Sequence, residues 1–574
     1  MNAERLLEVY EQISEAPDAI ARLRRFVLDL AVRGKLVEQD AGDEPASQLL
    51  ERIEEEKARI LAETGMRKPR KVADMDPAET WANLPANWGW TQISDLGFIS
   101  PRNEADDDVE ASFVPMPMIF AEYGVSNAHE VRSWGEIKKG YTHFAEGDVG
   151  LAKITPCFEN GKSTVFRNLA GGFGSGTTEL HILRPVLVDP DYVVLFLKSP
   201  QFIETGIPKM TGTAGQKRVS SEYFTSSPFP LPPLAEQHRI VAKVDELMKL
   251  CDRLEEARKT REEVRDKLTA ASLARLTAPE TTPEDFPTHA AFTLEALPAL
   301  TTRPDQIKTL RQTILNLALR GKLVEQDETD EPVSELLERI ADEKAERVAS
   351  GRMRTQKPLE PVALNEREFA LPYNWDWVRL GDVVKLWNGL AFKSSDFGTV
   401  GIPVIRIGDL KDGFVNITGA ACVSEKIASQ APEDIWIPNG ALLLAMSGAT
   451  TGKTAFNTTG QPLLLNQRVG RIEPFQMNIY FIRLFFETVI ARNLSISLGT
   501  AIPNLSAKQI NETPIPLPPL AEQHRIVAKV DALMALCDRL EAAMTEADTT
   551  RTRLLEALLH EALEPGERTL EAAE

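Results

Sequence analysis

The chain has 574 residues, 43% of them hydrophobic, with 65 Lys and Arg against 85 Asp and Glu for a formal charge of -20. That length and apolar content supply several folded cores, and the acidity excludes a uniformly basic nucleic-acid coat, leaving local patches as the only electrostatic grip on such a ligand. No apolar run approaches bilayer length and the opening MNAERLLEVYEQ is charged within its first turn, so a soluble cytoplasmic protein is expected.

In chain order, Pro17 to Val37 places Ile20, Leu23, Val27, Leu30 and Ala31 on one face and reads as an amphipathic helix ending near Gly34. A second helix begins near Pro45 with Leu49, Leu50, Ile53 and Ile60 aligned, and the Lys/Arg/Pro-rich stretch Met66 to Asp76 reads as an exposed linker. From Leu84 the character changes. Short β-like runs (GDVGLAKI, KSTVFRNL, TELHILRP) are separated by Gly and Pro, followed by a helical stretch from Asp191 to Thr205 and the turn TGTAGQKRVS. This is a mixed α/β head. PLPPLAEQHRIVAKVDELMKLCDRLE, Pro230 to Glu255, then opens a long helix: Pro232-Pro233 set an extended entry and Pro279 stops it. Its apolar residues Ile240, Val244, Leu247, Cys251 and Leu254 follow 4-3 spacing, with Leu268 resuming after the polar interval Arg258 to Arg265.

All of this then happens again. The 26-residue segment returns at Pro516 to Glu541 with only Glu246/Ala532 and Lys249/Ala535 changed, RGKLVEQD at Arg33 recurs at Arg320, and LPANWGW at Leu84 recurs as LPYNWDW at Leu371. Such internal repetition marks a tandem duplication. The expected organisation is a helical segment over 1–83, a head over 84–232, a coil helix over 233–278, a linker over 279–303, a second helical segment over 304–370, a second head over 371–518, a second coil helix over 519–564 and a tail over 565–574. In the second helix Ile526, Val530, Leu533, Cys537 and Leu540 repeat the seam, which Met544, Ala547, Leu554 and Leu558 extend. The predicted class is α+β, two mixed α/β heads joined by two long coiled-coil helices that run antiparallel about an internal pseudo-two-fold axis. The same stripe could instead pack each helix on its own head; two equal seams favour pairing.

Catalytic signals fail on inspection. GATTGKT, Gly448 to Thr454, lacks the first glycine of a phosphate loop because Ser447 stands there, and FENGKST fails likewise at Pro156. His238 and His524 have no Cys or His at ligand spacing, and Cys157, Cys251, Cys422 and Cys537 form no C-x-x-C, so no metal site is expected. Neither head is strongly basic: 84–230 holds 12 Lys/Arg against 17 Asp/Glu, and 371–516 holds 12 against 11. The heads also diverge more than the helices do, with PMPMIF (Pro115 to Phe120) set against PVIRIG (Pro403 to Gly408), so that Met118 faces Arg406. Arg and Lys suit guanine, and Asn and Gln suit adenine. The candidate DNA contacts are therefore Gln216, Lys217, Arg218, Asn504 and Lys508 in the polar turns, Arg406 as a base reader confined to the second head, and Lys162 and Lys453 on phosphates. Plain solvent-exposed polar turns are the competing reading.

PLPPLAEQ opening a long helix after each head, with RGKLVEQD ending a helical segment, resembles the specificity (S) subunit of type I restriction-modification systems over nearly the whole chain. The resemblance implies two target-recognition domains on double-stranded DNA, each reading half of a bipartite target, with the paired helices as a ruler. It implies as partners two methyltransferase subunits and ATP-driven restriction subunits, which would carry S-adenosylmethionine, ATP and Mg; this chain would hold no cofactor, catalyse nothing and touch no membrane. A helical segment precedes each head here, whereas in some relatives it lies between the heads and after the second, which points to a permuted arrangement. A methyltransferase or nuclease with fused recognition domains, and a regulatory or structural coiled-coil DNA-binding protein, stay open as alternatives.

Overall fold

A computed structural model describes residues 15–64, 72–73, 75, 77–213, 215–278, 285–448, 451–496 and 505–563. The chain forms two compact units, one of residues 1–261 with 548–574 and the other of 262–547. No helix among the described residues is long and apolar enough to cross a membrane.

In the first unit the helix Ala19–Val32 buries Val27, Leu28, Ala31 and Val32, and the helix Ala46–Thr64 buries Leu49 and Ile53 completely. Each such aliphatic side chain contributes about 1.5–3 kcal/mol on full burial. The head that follows is a closed excursion of the chain. Its first strand, Gly89–Gln92, pairs antiparallel with its last, Pro228–Leu231, in the register Gly89↔Leu231 to Gln92↔Pro228. Pro228 and Pro230 lack N–H groups, and a two-stranded ribbon tolerates them because it has no third strand to satisfy. Between these ends lie two four-stranded sheets. One is antiparallel, ordered 97–99, 180–185, 149–152, 163–165; the other runs 130–133, 110–114, 173–176, 142–145, with 110–114 parallel to 173–176. Phe144 and Phe166, both fully buried, stack with ring centroids 3.7 Å apart inside this head.

The second unit repeats the plan. Asp376–Arg379 pairs with Pro514–Leu517, and each sheet gains a fifth strand, Gly413–Phe414 beside 454–456 in one sheet and Phe397–Gly398 beside 422–423 in the other. Of the expected α+β class, two mixed α/β heads joined by two long antiparallel coiled-coil helices, the two heads and the two long helices are observed. The stretch 279–303, read as a linker, instead carries a helix, Phe286–Leu300.

Both long helices, Leu234–Thr277 and Leu520–Leu563, have 44 residues, about 66 Å at 1.5 Å per residue. Their seam residues have an unexpected destination. Ile240 and Val244, with Leu247 half-buried beside them, sit in the same core as Val27, Tyr192 and Phe229, while Cys251 is buried and Leu254 half-buried farther along. Ile526, Val530 and Cys537, flanked by Leu533 and Leu540, sit in the core formed by Ile314, Trp375 and Phe481. This part of the stripe therefore holds each helix to its own head, because 4-3 spacing specifies an apolar face and not the partner that covers it. Leu268, expected on the seam, is 43% exposed. Two successive four-residue steps, Leu254 to Arg258 to Glu262, shift the phase, and the shielded line continues through Arg265, Thr269, Ser272 and Leu276. Glu262 and Asp266 there receive the guanidinium of Arg303 at 2.5 and 2.8 Å. In the first unit, the end of the second helix buries Leu555 and Leu558 against Ala16 and Ala19.

The repeated motifs meet where each head joins its long helix. Gln39 of RGKLVEQD donates to Glu236 at 2.7 Å, and Gln326 to Glu522 at 2.6 Å; both carboxylates are 1% exposed. Gln237 donates to the Pro232 carbonyl and accepts from the Asp189 amide, both at 2.9 Å, and Gln523 does the same with Pro518 and Asn478. Arg239 grips Asp43, and Arg525 grips Asp330, each at 2.6 Å in its shorter bond. Gly34 closes the same joint: at φ +67° it presses on the proline of LPANWGW so closely that a Cβ would lie 2.5 Å from Pro85 Cγ. The near-identity of the two copies is thus a property of one interlocked joint built twice.

Candidate nucleic-acid interface

In the second head the parallel neighbours Ile402–Ile405 and Leu463–Leu465 end side by side, and the Asn466 amide donates to the Ile405 carbonyl at 3.2 Å. The residues just beyond these ends, Arg406, Asn466, Gln467 and Arg468, line an open cleft of about 460 Å³ with Phe392, Ser394 and Phe397. Arg406, Gln467 and Arg468 are exposed, and the Arg406 guanidinium lies 4.2 Å from the centroid of the Phe397 ring. Stacking on an aromatic face holds a guanidinium plane while leaving its donor edge open. Arg468 also anchors the neighbouring turn, since its carbonyl accepts from the Met446 amide at 2.9 Å while the Met446 carbonyl accepts from Leu505 at 2.8 Å.

The first head builds the same backbone with other side chains. Thr177 donates to the Val114 carbonyl as Asn466 does to Ile405; Lys153 donates to the Glu179 carbonyl at 3.0 Å as Met446 does to Arg468; and Val219 donates to Lys153 at 2.8 Å as Leu505 does to Met446. These bonds set Pro115 against Arg406, Thr178 against Gln467 and Glu179 against Arg468. The expected facing of Met118 with Arg406 is therefore wrong by three residues; Met118 corresponds to Asp409. Pro115 and Arg406 each precede a 3-10 turn, which confirms the register. PMPMIF and PVIRIG both begin with proline, whereas the strand ends decide which residues emerge at the rim.

The candidate residues fare differently. Gln216 and Lys217 are exposed on a turn whose Lys217 carbonyl accepts from the Thr155 amide at 2.9 Å. Arg218 is half-buried, and its fork is filled by Glu179 at 2.9 and 2.8 Å; that contact holds the Glu179 carboxyl below its ordinary range. Lys162 is half-buried in the turn after Cys157. Lys453 pairs with Asp412 at 2.7 Å. Asn504 lies outside the described residues. Lys508, expected in a turn, belongs to the helix Ala507–Glu512, which the Ser506 hydroxyl caps, and lies 3.7 Å from Glu512. Arg406, Gln467 and Arg468 share one rim, and so do Gln216, Lys217 and Arg218. Arg468 and Gln467 were missed from sequence because QRVGRIEP reads as a strand, and only the register puts its first two residues at an open strand end.

His238 and His524 lie on the surface of the two joints, His238 3.7 Å from Asp189 and His524 with Nδ1 2.8 Å from the Leu520 carbonyl. Among the described residues no group of three or more His, Cys, Asp and Glu is placed to hold a metal.

The model of the type I restriction modification DNA specificity domain matches residues 176–263 and 372–547. The chain is 39% identical to the type I restriction enzyme EcoAI specificity subunit of Escherichia coli, over 95% of this chain and 94% of that one. It is 35% identical to the EcoEI specificity subunit of the same species, with the same shares covered. A crystal structure of the HsdS subunit from Thermoanaerobacter tengcongensis is 20% identical with a TM-score of 0.46, covering 85% of this chain and 98% of that one. With two heads on one duplicated scaffold and likeness over 95% of its length to the two Escherichia coli subunits, the chain belongs to the specificity subunits of type I restriction enzymes.

Proposed function

We propose that the segments 84–232 and 371–518 are separate target-recognition domains, each reading one half of a bipartite, asymmetric sequence in double-stranded DNA, and that the two long helices set the gap between the halves. The chain itself catalyses nothing. Two methyltransferase subunits and restriction subunits assemble on it and bring S-adenosylmethionine, ATP and Mg. The observation that carries this reading is the equivalence of the two rims: one backbone, hydrogen-bonded alike, presents Pro115, Thr178 and Glu179 in one head and Arg406, Gln467 and Arg468 in the other. A duplicated frame with different side chains at the same rim suits two readers of different base sequences, since base edges are told apart by donor and acceptor pattern. The contacts proposed at the rims are Gln216 and Lys217 in the first head and Arg406 and Lys508 in the second, with Asn504 beside Lys508 in sequence; Lys217 and Lys162 reach phosphates, Lys453 does so against its pairing with Asp412, and Arg218 serves chiefly to hold its turn through Glu179.

Exchanging the second head, 376–517, for that of another specificity subunit and sequencing the methylome of the host tests the division of labour. One half of the modified motif changes and the other stays. Change in both halves, or loss of the bipartite form, contradicts separate readers.

A further inference from the structure

We infer that Arg468, resting on the two-reader function above, is the guanine-selecting residue of the second head, with Arg406 supporting it across the cleft, and that Glu179 at the same backbone position denies the first head that preference. Three observations lead there. First, the position is defined in both heads by the same hydrogen bond, Lys153 amide to Glu179 carbonyl and Met446 amide to Arg468 carbonyl, so the two side chains leave the rim from one place. Second, the equivalent rim positions carry different charge in the two heads. In the second, Arg406 and Arg468 both line the cleft, with the exposed Gln467 in the same lining. In the first, Pro115 and Glu179 replace the two arginines, and the Arg218 guanidinium donates from Nε and Nη2 to Glu179 and from Nη1 to the Gln216 carbonyl. Third, the chemistry fits one ligand edge. Guanine offers O6 and N7 as paired acceptors in the major groove, matched by the fork of an arginine, and an arginine whose Nε–Nη2 edge is held by a carboxylate is fixed in place and cannot turn that edge to a base.

Arg468 is exposed and its side chain fills no core, so Arg468→Gln leaves the melting temperature of the purified chain in place. The test uses the full modification complex, made with wild-type chain, Arg468→Gln or Arg468→Lys, and reads two things: the methylome motif in the host, and fluorescence anisotropy on duplexes carrying each of the four bases at every position of the second half-site. In the wild type one position of that half-site is guanine. In Arg468→Gln the discrimination for guanine there falls roughly 5- to 150-fold, the range a lost bidentate base contact allows, while the first half-site is untouched. Arg468→Lys, which keeps the charge and loses the fork, falls between the two. Equal weakening on all four bases, rescued by lysine, makes Arg468 a phosphate contact and overturns the inference, as does an unchanged motif or a marked fall in melting temperature. A wild-type motif without two halves sinks the parent reading instead, which separates the two failures.

Discussion

Trp375 donates its indole N–H to Glu522 at 2.8 Å, while Gln326 donates to the other oxygen of the same carboxylate, so one buried acidic group ties together all three motifs of the second half. Removing the acceptor leaves two donors unpaired, one on the buried Trp375 and one on the half-buried Gln326. Glu522→Ala therefore costs the second unit about 2–4 kcal/mol, taking 1–3 kcal/mol for each stranded polar group with partial relaxation. Glu522→Gln costs less, because Gln326 can turn its amide to accept from the new side chain. Urea melts followed by fluorescence rank the two variants; equal effects would remove the carboxylate from the joint.

Burial raises the pKa of both Glu236 and Glu522 above the ordinary 4.5. The sign follows from proton counting: a raised folded pKa means that the folded state holds protons the unfolded chain has released, so stability falls as pH rises from 4.5 through the raised value. The wild type is thus relieved as pH is lowered into that window. The double variant Glu236→Gln, Glu522→Gln carries no such titration. Its melting temperature relative to wild type is expected to rise with pH across that window and to level off above it, as differential scanning calorimetry would record. A difference independent of pH would contradict the assignment.

The ruler reading predicts that shortening both long helices by a heptad moves the half-sites closer. Met248 and Cys251 are buried in the first unit and Cys537 in the second, so the deletion has to begin after them. Removing 255–261 together with 541–547 keeps the 4-3 phase and shortens each helix by about 10 Å, roughly three base pairs. Methylome sequencing of this variant should return the same half-sites with a gap about three base pairs shorter. An active variant with its original gap would show that some other element sets the spacing.

Unpaired and carboxylate-paired phosphate contacts are separable by salt. Lys217 is exposed at the rim, whereas Lys453 is already neutralised by Asp412. Lys217→Ala is expected to weaken DNA binding alike on all sequences and to lower the slope of log K against log salt by about 0.9, one counterion's worth. Lys453→Ala changes the slope by less. Titrations at several salt concentrations distinguish them, and a larger effect at Lys453 would reverse the two roles.

The duplication, the two heads and the long helices are legible in the residues because each rests on local regularity: a repeated string, a 4-3 period, prolines that bound a helix. Helix ends fell within a few residues of Pro232-Pro233 and Pro279 for the same reason. Packing partners have no such local signature. Ile240 and Ile526 carry the pattern of a seam, yet what covers them is the head beside them, and Leu268 leaves the stripe because two four-residue steps rotate the helix face. The rims lie further still from one-dimensional reading. That Glu179 and Arg468 occupy one place, and that Glu179 rather than DNA takes the fork of Arg218, follow from strand register and from contacts across 39 residues of chain. A strand shifted by one residue turns every side chain to the other face, so only the folded sheet, with its hydrogen bonds in place, decides which residues the chain offers at the rim.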